Sequence, residues 1–428
     1  MNKYFLIGAG FIRQSHIVKH LKVGFLRFNS VTIYFDYKIV LSPALLFIQQ
    51  LYIYLNNLCM LYKRMEIEKE SPEEIGYDTI KYNLSESSVT DLKMSELGLS
   101  LDNLTLEYIG HRGIPALRAA IVSDYPNLNK EHVLLTNGAA GALFIINSSL
   151  LTQVDHLIVV RPNYATNIEV PKTIGCSISF IDLLFEEGWK LNPENIESLI
   201  QKNTTLISIT TPHNPTGMLM REETIDRIIQ IAEQYDIFLL IDETYRDACF
   251  KTPYPVTASK SKKVISVSSL SKAFGLPGLR MGWLITQDEI MMERFLAAKE
   301  MIYISNSALD EEVAYQFYKQ KELFALTINE KALRNFQRLQ TWLQNESRIE
   351  AVLPQGGVVC FPRFKKEITV DTQKFYEVLM NKYETMVGPG HWFNLPDTYM
   401  RIGFGWTDEL VFKKGIENIS LAIDECIC

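Results

Sequence analysis

The sequence predicts an α/β chain: a mostly parallel central sheet covered on both faces by helices, with a smaller α+β domain beside it. Three observations predict it. Between about residues 113 and 290, short β-branched runs bounded by turn residues alternate with helical stretches. The runs are apolar throughout rather than alternating, which suits strands buried on both faces. The helical stretch REETIDRIIQIAEQY puts Ile225, Ile228, Ile229 and Ala232 on one face.

In order, the predicted strands are HVLLTNG (132–138), HLIVV (156–160), TLISIT (205–210), IFLLID (237–242) and VISVSS (264–269). In open α/β sheets, ligands bind beyond the carboxyl ends of the strands. Those ends carry pointed chemistry. They deliver Asn137-Gly138-Ala139-Ala140-Gly141, then Arg161-Pro162-Asn163-Tyr164, then Pro212-His213-Asn214-Pro215-Thr216-Gly217. The last two deliver Asp242-Glu243-Thr244-Tyr245 and Ser269-Leu270-Ser271-Lys272.

Composition sets the outer limits. The chain has 428 residues, 47% of them hydrophobic, enough for a large core and about two or three domains. Lys and Arg number 43 against 50 Asp and Glu, a net charge of −7 that argues against a general nucleic-acid surface. The cysteines Cys59, Cys176, Cys249, Cys360, Cys426 and Cys428 are scattered rather than framed for disulfides, and no histidine has a metal-ligand spacing. A cytoplasmic setting is expected.

Residues 1–64 read as an atypical extension. Gly8 and Gly10, followed by a strand end at Asp36, resemble the dinucleotide-binding opening of sugar-nucleotide epimerases and dehydratases. Arg13 stands where a third glycine belongs, so a non-functional fragment is the expectation. The apolar segment 40–62 is interrupted by Gln49, Gln50, Asn56 and Asn57. Membrane association by it is disfavoured against an extension upstream of a start near Met65. The expected divisions are an N-terminal arm and part of the small domain at 65–112, a large ligand-binding domain at 113–318 and a C-terminal small domain at 319–428.

Read singly, the strand-end residues stay ambiguous. Lys272 is either a surface lysine or a nucleophile desolvated at a strand end. Arg280, after the GLPGL turn, either caps that turn or joins Ser269 on an anion. Asp242 is either a helix N-cap or a buried carboxylate facing the nitrogen of a pyridine cofactor. Asn214 is a turn residue or a donor to that cofactor's ring oxygen, and Tyr245 is a second such donor. Gly138, Ala139 and Ala140 open a helix and offer free amides to a phosphate, or form a plain βα loop. Tyr164 is a core aromatic or a plate stacked on a ring.

Together, S-x-S-K-x-x-G-L-x-G-x-R from Ser269 to Arg280, N-P-T-G and D-x-x-Y resemble the class I/II aminotransferases, fold-type I enzymes dependent on pyridoxal 5′-phosphate (PLP). The resemblance runs over about residues 76–425 and implies the three-layer PLP-dependent transferase fold. It implies that Lys272 forms the internal aldimine and that Asp242 pairs with the pyridine nitrogen. Asn214 and Tyr245 would hold the ring oxygen, Tyr164 would stack, and Ser269, Arg280 and Gly138 to Ala140 would bind the phosphate. YIGHRGIPALR implies that Tyr108 reaches the phosphate of a partner subunit in a homodimer. VGPGHWFNLPDTYMRIGFG implies that Arg401 grips the substrate α-carboxylate, with Asn214 beside it. PQGGVVCF (354–361) fits the small-domain strand preceding that segment.

Two departures stand out. Asn83-Leu84-Ser85-Glu86-Ser87-Ser88-Val89 replaces a glycine-containing loop over the substrate, and Ala139-Ala140 lacks a hydroxyl that some relatives place on the phosphate. The expected activity is transfer of an amino group from an amino acid to a 2-oxo acid. The alternatives are a lyase, decarboxylase or cyclase of the capreomycidine-synthase kind and, behind these, a non-catalytic binding module of the same fold.

Overall fold

The computed structural model describes residues 25–28, 31–34, 60–250 and 254–427, the first two stretches and 326–328 in backbone only. The chain divides into two units, Met1–Met60 and Leu61–Cys428. In the first, strands Phe25–Phe28 and Val31–Tyr34 pair antiparallel. Gly8, Gly10, Arg13, Asp36 and nearly all of the apolar segment 40–62 lie outside the described residues. Among the described residues, no helix is long and apolar enough to cross a membrane.

The second unit is built on a seven-stranded sheet. Its strands are β1 (Val133–Asn137), β2 (His156–Arg161), β3 (Ser177–Asp182), β4 (Thr204–Thr210), β5 (Phe238–Asp242), β6 (Val264–Ser269) and β7 (Met281–Thr286). They lie in the order β1-β7-β6-β5-β4-β2-β3. All are parallel except β7, which runs antiparallel to both neighbours. The five expected runs are all strands.

Two more strands complete the sheet. β3 sits at an edge, so its SISFID sequence is only partly buried and lacks the apolar signature of a central strand. β7 follows β6 after only the Leu270–Arg280 connection, which holds no crossover helix. Such a short return makes an antiparallel neighbour, not a parallel one. The reversal brings Arg280, just before β7, to the same edge as the carboxyl ends of the other six strands.

Side chains alternate between the two faces and each face has its own core. Leu134, Leu157, Val159, Leu206, Leu240 and Val267 pack with the helices Gly138–Leu150 and Glu289–Tyr303. Leu135, Ile158, Ile207, Ile209, Ile241 and Trp283 pack with the helices on the opposite face, among them Glu222–Gln234. That makes a three-layer α/β/α arrangement.

Smaller sheets join distant parts of the chain. Tyr82–Asn83 pairs in parallel with Thr385–Met386, and Met400–Gly403 lies between Val359–Cys360 and Gly388–Pro389. The N-terminal loop 83–89 is thereby fastened to C-terminal strands: Leu84 N donates to the Met386 carbonyl at 2.8 Å, and Gly403 N donates to the Leu84 carbonyl at 2.7 Å.

The other end of this loop is fastened to the β6–β7 connection. Val89 N donates to the Lys272 carbonyl at 3.0 Å and Leu92 N to the Gly275 carbonyl at 2.9 Å. Gly275 has φ +65°, and a Cβ there would lie 2.1 Å from the Thr90 carbonyl oxygen. Replacing Gly275 with alanine is expected to destabilise the chain by about 1–3 kcal/mol. Thermal denaturation of both proteins checks this; an unchanged melting temperature would contradict the fastening.

Candidate active site

The strand-end residues converge with the 83–89 loop on the carboxyl edge of the sheet. Lys272, three residues beyond the end of β6, donates from Nζ to Ser87 Oγ at 3.1 Å. Tyr245, in the turn after β5, donates from its hydroxyl to the Ser87 carbonyl at 2.7 Å. Burial pushes the Tyr245 phenol up to about 12, so it stays a donor at neutral pH.

Arg401, on the strand Met400–Gly403, is 3% exposed. Its Nη1 donates to Asn214 Oδ1 at 3.2 Å and its Nη2 to the Ser85 carbonyl at 2.7 Å, while Nε is buried without a hydrogen-bond partner. The guanidinium lies 5.8 Å from the ring centre of Trp392 and 5.1 Å from that of Phe393. Burial lowers its proton affinity, with Tyr245 and Glu86 opposing the shift. A buried guanidinium with an open donor is a site awaiting an anion.

Asp242 ends β5 and is 4% exposed. Its Oδ1 accepts from Thr244 N at 3.1 Å and from Thr244 Oγ1 at 2.6 Å. Asp242 is therefore not a helix N-cap: its carboxylate closes a tight turn onto Thr244, and the short 3-10 helix that follows, Arg246–Ala248, has Tyr245 at its N-cap position. Among the described residues it has no ion-pair partner, and burial raises its carboxyl above the ordinary range. A cation facing it would reverse that shift.

At the opposite side of the edge, the helix Gly138–Leu150 begins with no side-chain cap from Asn137. Its first amides are therefore open to an anion. Gly138 has φ +70°, and a Cβ there would come within 2.7 Å of an Arg280 guanidinium nitrogen. Ala139 and Ala140 form the same first turn. Gly282 of β7 packs against it closely enough that a Cβ would lie 2.6 Å from Ala139 N. Ser269, buried at the end of β6, pairs in register with Gly282, and its hydroxyl accepts from Ser271 N at 3.3 Å. Tyr164, half-buried after β2, has its phenol raised by burial, and both Lys272 and Asp242 act on it electrostatically.

Tyr108 stands apart. It is 83% exposed, and the turn that follows it is held from beneath. Lys299 Nζ donates to the His111 carbonyl at 2.6 Å, Ile114 N donates to Glu311 Oε2 at 2.6 Å and Arg118 Nε donates to the Gly113 carbonyl at 3.1 Å. Within one chain, then, the structure joins Lys272, Tyr245, Asn214 and Arg401 through the 83–89 loop and joins Gly138 with Arg280, but it leaves Tyr108 outside.

Along the chain Ser87 is marked only as a member of the 83–89 loop, and its bonds to both Lys272 and Tyr245 have no signature there. Glu86 stands in that loop with no role marked by its neighbours in sequence, and Glu68 lies in no motif. His213 is structural: its ring bonds the Pro162 carbonyl at 2.9 Å and Thr216 Oγ1 at 2.8 Å.

Burial brings His213 down to about 4 from an ordinary 6.5. With the folded value below the unfolded one, its contribution is complete above pH 6.5 and is lost as pH falls toward 4. Over that range the wild type should lose on the order of 3 kcal/mol more than His213→Gln. Urea unfolding of both proteins at several pH values measures the difference, and parallel pH curves would refute it.

Residues 81–414 match the family described as aminotransferase class I and II. An aspartate aminotransferase of Pyrococcus horikoshii is 27% identical over 327 residues, covering 73% of this chain and 82% of the relative. Capreomycidine synthase of Streptomyces vinaceus is also 27% identical, over 339 residues, covering 77% and 86% respectively. Among solved structures, a PLP-dependent aminotransferase from Streptococcus suis superposes with a TM-score of 0.78 at 24% identity, over 85% of this chain and 98% of that one, and so shares its fold.

Proposed function

The chain belongs to the aminotransferase class I and II family, and from that premise we propose that it transfers the amino group of an amino acid to a 2-oxo acid using pyridoxal phosphate. The observation that carries the reading is the linked set at the sheet edge, in which Lys272 and Tyr245 meet on Ser87 while Arg401 bridges Asn214 and Ser85.

Three features support pyridoxal phosphate as the group held here. The uncapped first turn at Gly138, with the Arg280 guanidinium against it, suits a phosphate. The buried Asp242 carboxylate, with no ion-pair partner among the described residues, suits a protonated ring nitrogen. Lys272 sits at the strand end between these two. In this reading Ser269, Arg280 and the amides of Gly138, Ala139 and Ala140 hold the phosphate, Asn214 and Tyr245 hold the ring oxygen, and Tyr164 covers the ring face. Tyr108, exposed on one chain, serves the partner's site in a homodimer.

When bound, pyridoxal phosphate supplies a carbonyl carbon that condenses with an amine and a ring that takes up the electron pair left by a departing proton. The protein's residues do the rest. Arg401 binds the amino acid's carboxylate, its open Nε completing a two-point contact. That contact and the loop at Ser85 orient the α-carbon toward Lys272. Lys272 Nζ takes the α-proton as general base and returns a proton in the later steps. Asp242 would hold the proton on the cofactor's ring nitrogen, since a buried carboxylate and a neighbouring cation each stabilise the other's charged form.

A second reading has its own support: capreomycidine synthase is as similar in sequence as the aspartate aminotransferase. Both reactions begin with the same proton removal and part afterwards. Product analysis separates them, since transamination gives a 2-oxo acid without ammonia, while elimination releases ammonia and a cyclase gives a ring-closed amino acid.

Mixing the protein with pyridoxal phosphate should produce a visible absorbance band that Lys272→Ala abolishes; no band in the wild type would end the reading. Arg401→Lys should raise KM for the amino acid by about 10–100-fold with a smaller change in kcat, because a point charge replaces a planar fork. Steady-state kinetics test this, and an unchanged KM would remove Arg401 from carboxylate binding.

A further inference from the structure

The 83–89 loop is fastened on both sides of Glu86. Before it, the Ser85 carbonyl accepts from Arg401; after it, Ser87 accepts from Lys272 and Tyr245. A Cβ on Gly403 would lie 1.7 Å from the Glu86 carbonyl oxygen, so backbone packs directly on backbone at this residue. Glu86 therefore has little freedom to move away from the two cationic residues of the site.

Its carboxylate is held by one hydrogen bond, from the Tyr77 hydroxyl to Oε1 at 2.9 Å. Tyr77 is itself stacked on Trp406, with ring centres 5.8 Å apart. Among the described residues, no basic group is within ion-pair distance of Glu86, although Lys272 and Arg401 both act on it at longer range. Burial raises its carboxyl, and Glu73 adds to the shift. Glu68, likewise raised by burial, is acted on electrostatically by Lys272 and Arg280.

Loading the site removes what balance there is. With Arg401 engaged by a carboxylate and Lys272 by the cofactor, Glu86 keeps only the Tyr77 hydroxyl. A half-buried carboxylate in that position is stabilised by a cation and disfavours a second carboxylate. We propose that Glu86 is a specificity-determining residue that selects amino acids whose side chain carries an ammonium or guanidinium group. The inference rests on the reading above, in which Arg401 takes the α-carboxylate.

The test uses the full chain loaded with pyridoxal phosphate and three probes that carry no primary amine to condense with the cofactor: 5-guanidinovalerate, valerate and glutarate. Calorimetric titration should show 5-guanidinovalerate binding about tenfold tighter than valerate, with glutarate weakest. Glu86→Gln should bring 5-guanidinovalerate and valerate to within about twofold of each other. A wild type that prefers valerate or glutarate, or a Glu86→Gln protein that keeps the wild-type ratio, overturns the inference. If Glu86→Gln does not fold, the wild-type order decides. The visible band separates the two failures: a band with the wrong order overturns this inference alone, and a missing band overturns the cofactor reading and this inference with it.

Discussion

Two residues of one short loop receive the polar side chains of two distant parts of the chain. Ser87 accepts from Lys272 with its hydroxyl and from Tyr245 with its carbonyl; Ser85 accepts from Arg401 with its carbonyl. The lysine and the tyrosine come from the central sheet, the arginine from a C-terminal strand. Without the loop, these groups would belong to separate elements with no common reference. Because the acceptors are largely main-chain carbonyls, the arrangement depends on the loop's path more than on its side chains. That path is set at both ends by backbone bonds, to Met386 and Gly403 on one side and to Lys272 and Gly275 on the other.

The reversal of β7 is the sheet's contribution. Six strands run the same way and so present their carboxyl ends together. A seventh parallel strand would have taken Arg280 to the far edge. By returning directly after β6, β7 brings its preceding residue back beside Gly138, where a guanidinium and open helix amides face the same volume. Close backbone packing between Gly282 and the Gly138 turn is what the absence of side chains at these two positions permits.

Electrostatically, the site is built of groups whose partners are incomplete. Among the described residues, Asp242 is buried with hydrogen bonds but no ion-pair partner, Arg401 has an open Nε, and Glu86 has one hydrogen bond and two cations acting at longer range. Buried charges left in this state cost stability, and each is relieved by a ligand of the opposite sign. The three together suit an anion at Arg401 and positive charge beside Asp242 and Glu86. Tyr245, whose phenol is held protonated by burial, is the donor that does not change with pH in the neutral range.

Which of these features was legible along the chain follows from how local each one is. Buried parallel strands need continuous apolar runs, so all five of those runs were readable, and the chemistry at their ends with them. The edge strand β3 was not, because partial exposure removes the apolar signature, and β7 was not, because direction is a property of the connection and not of the strand. Lys272, Asp242, Asn214, Tyr245, Arg280 and Arg401 could be singled out from their positions in motifs, and the structure joins four of them through the 83–89 loop. The roles of Ser85, Ser87 and Glu86 depend on residues more than 150 positions away, which no local pattern encodes. Composition and periodicity determined the layered α/β fold and the residues at the sheet edge; only tertiary structure decided which of them meet, because that depends on backbone hydrogen bonds between segments that are neighbours in space alone.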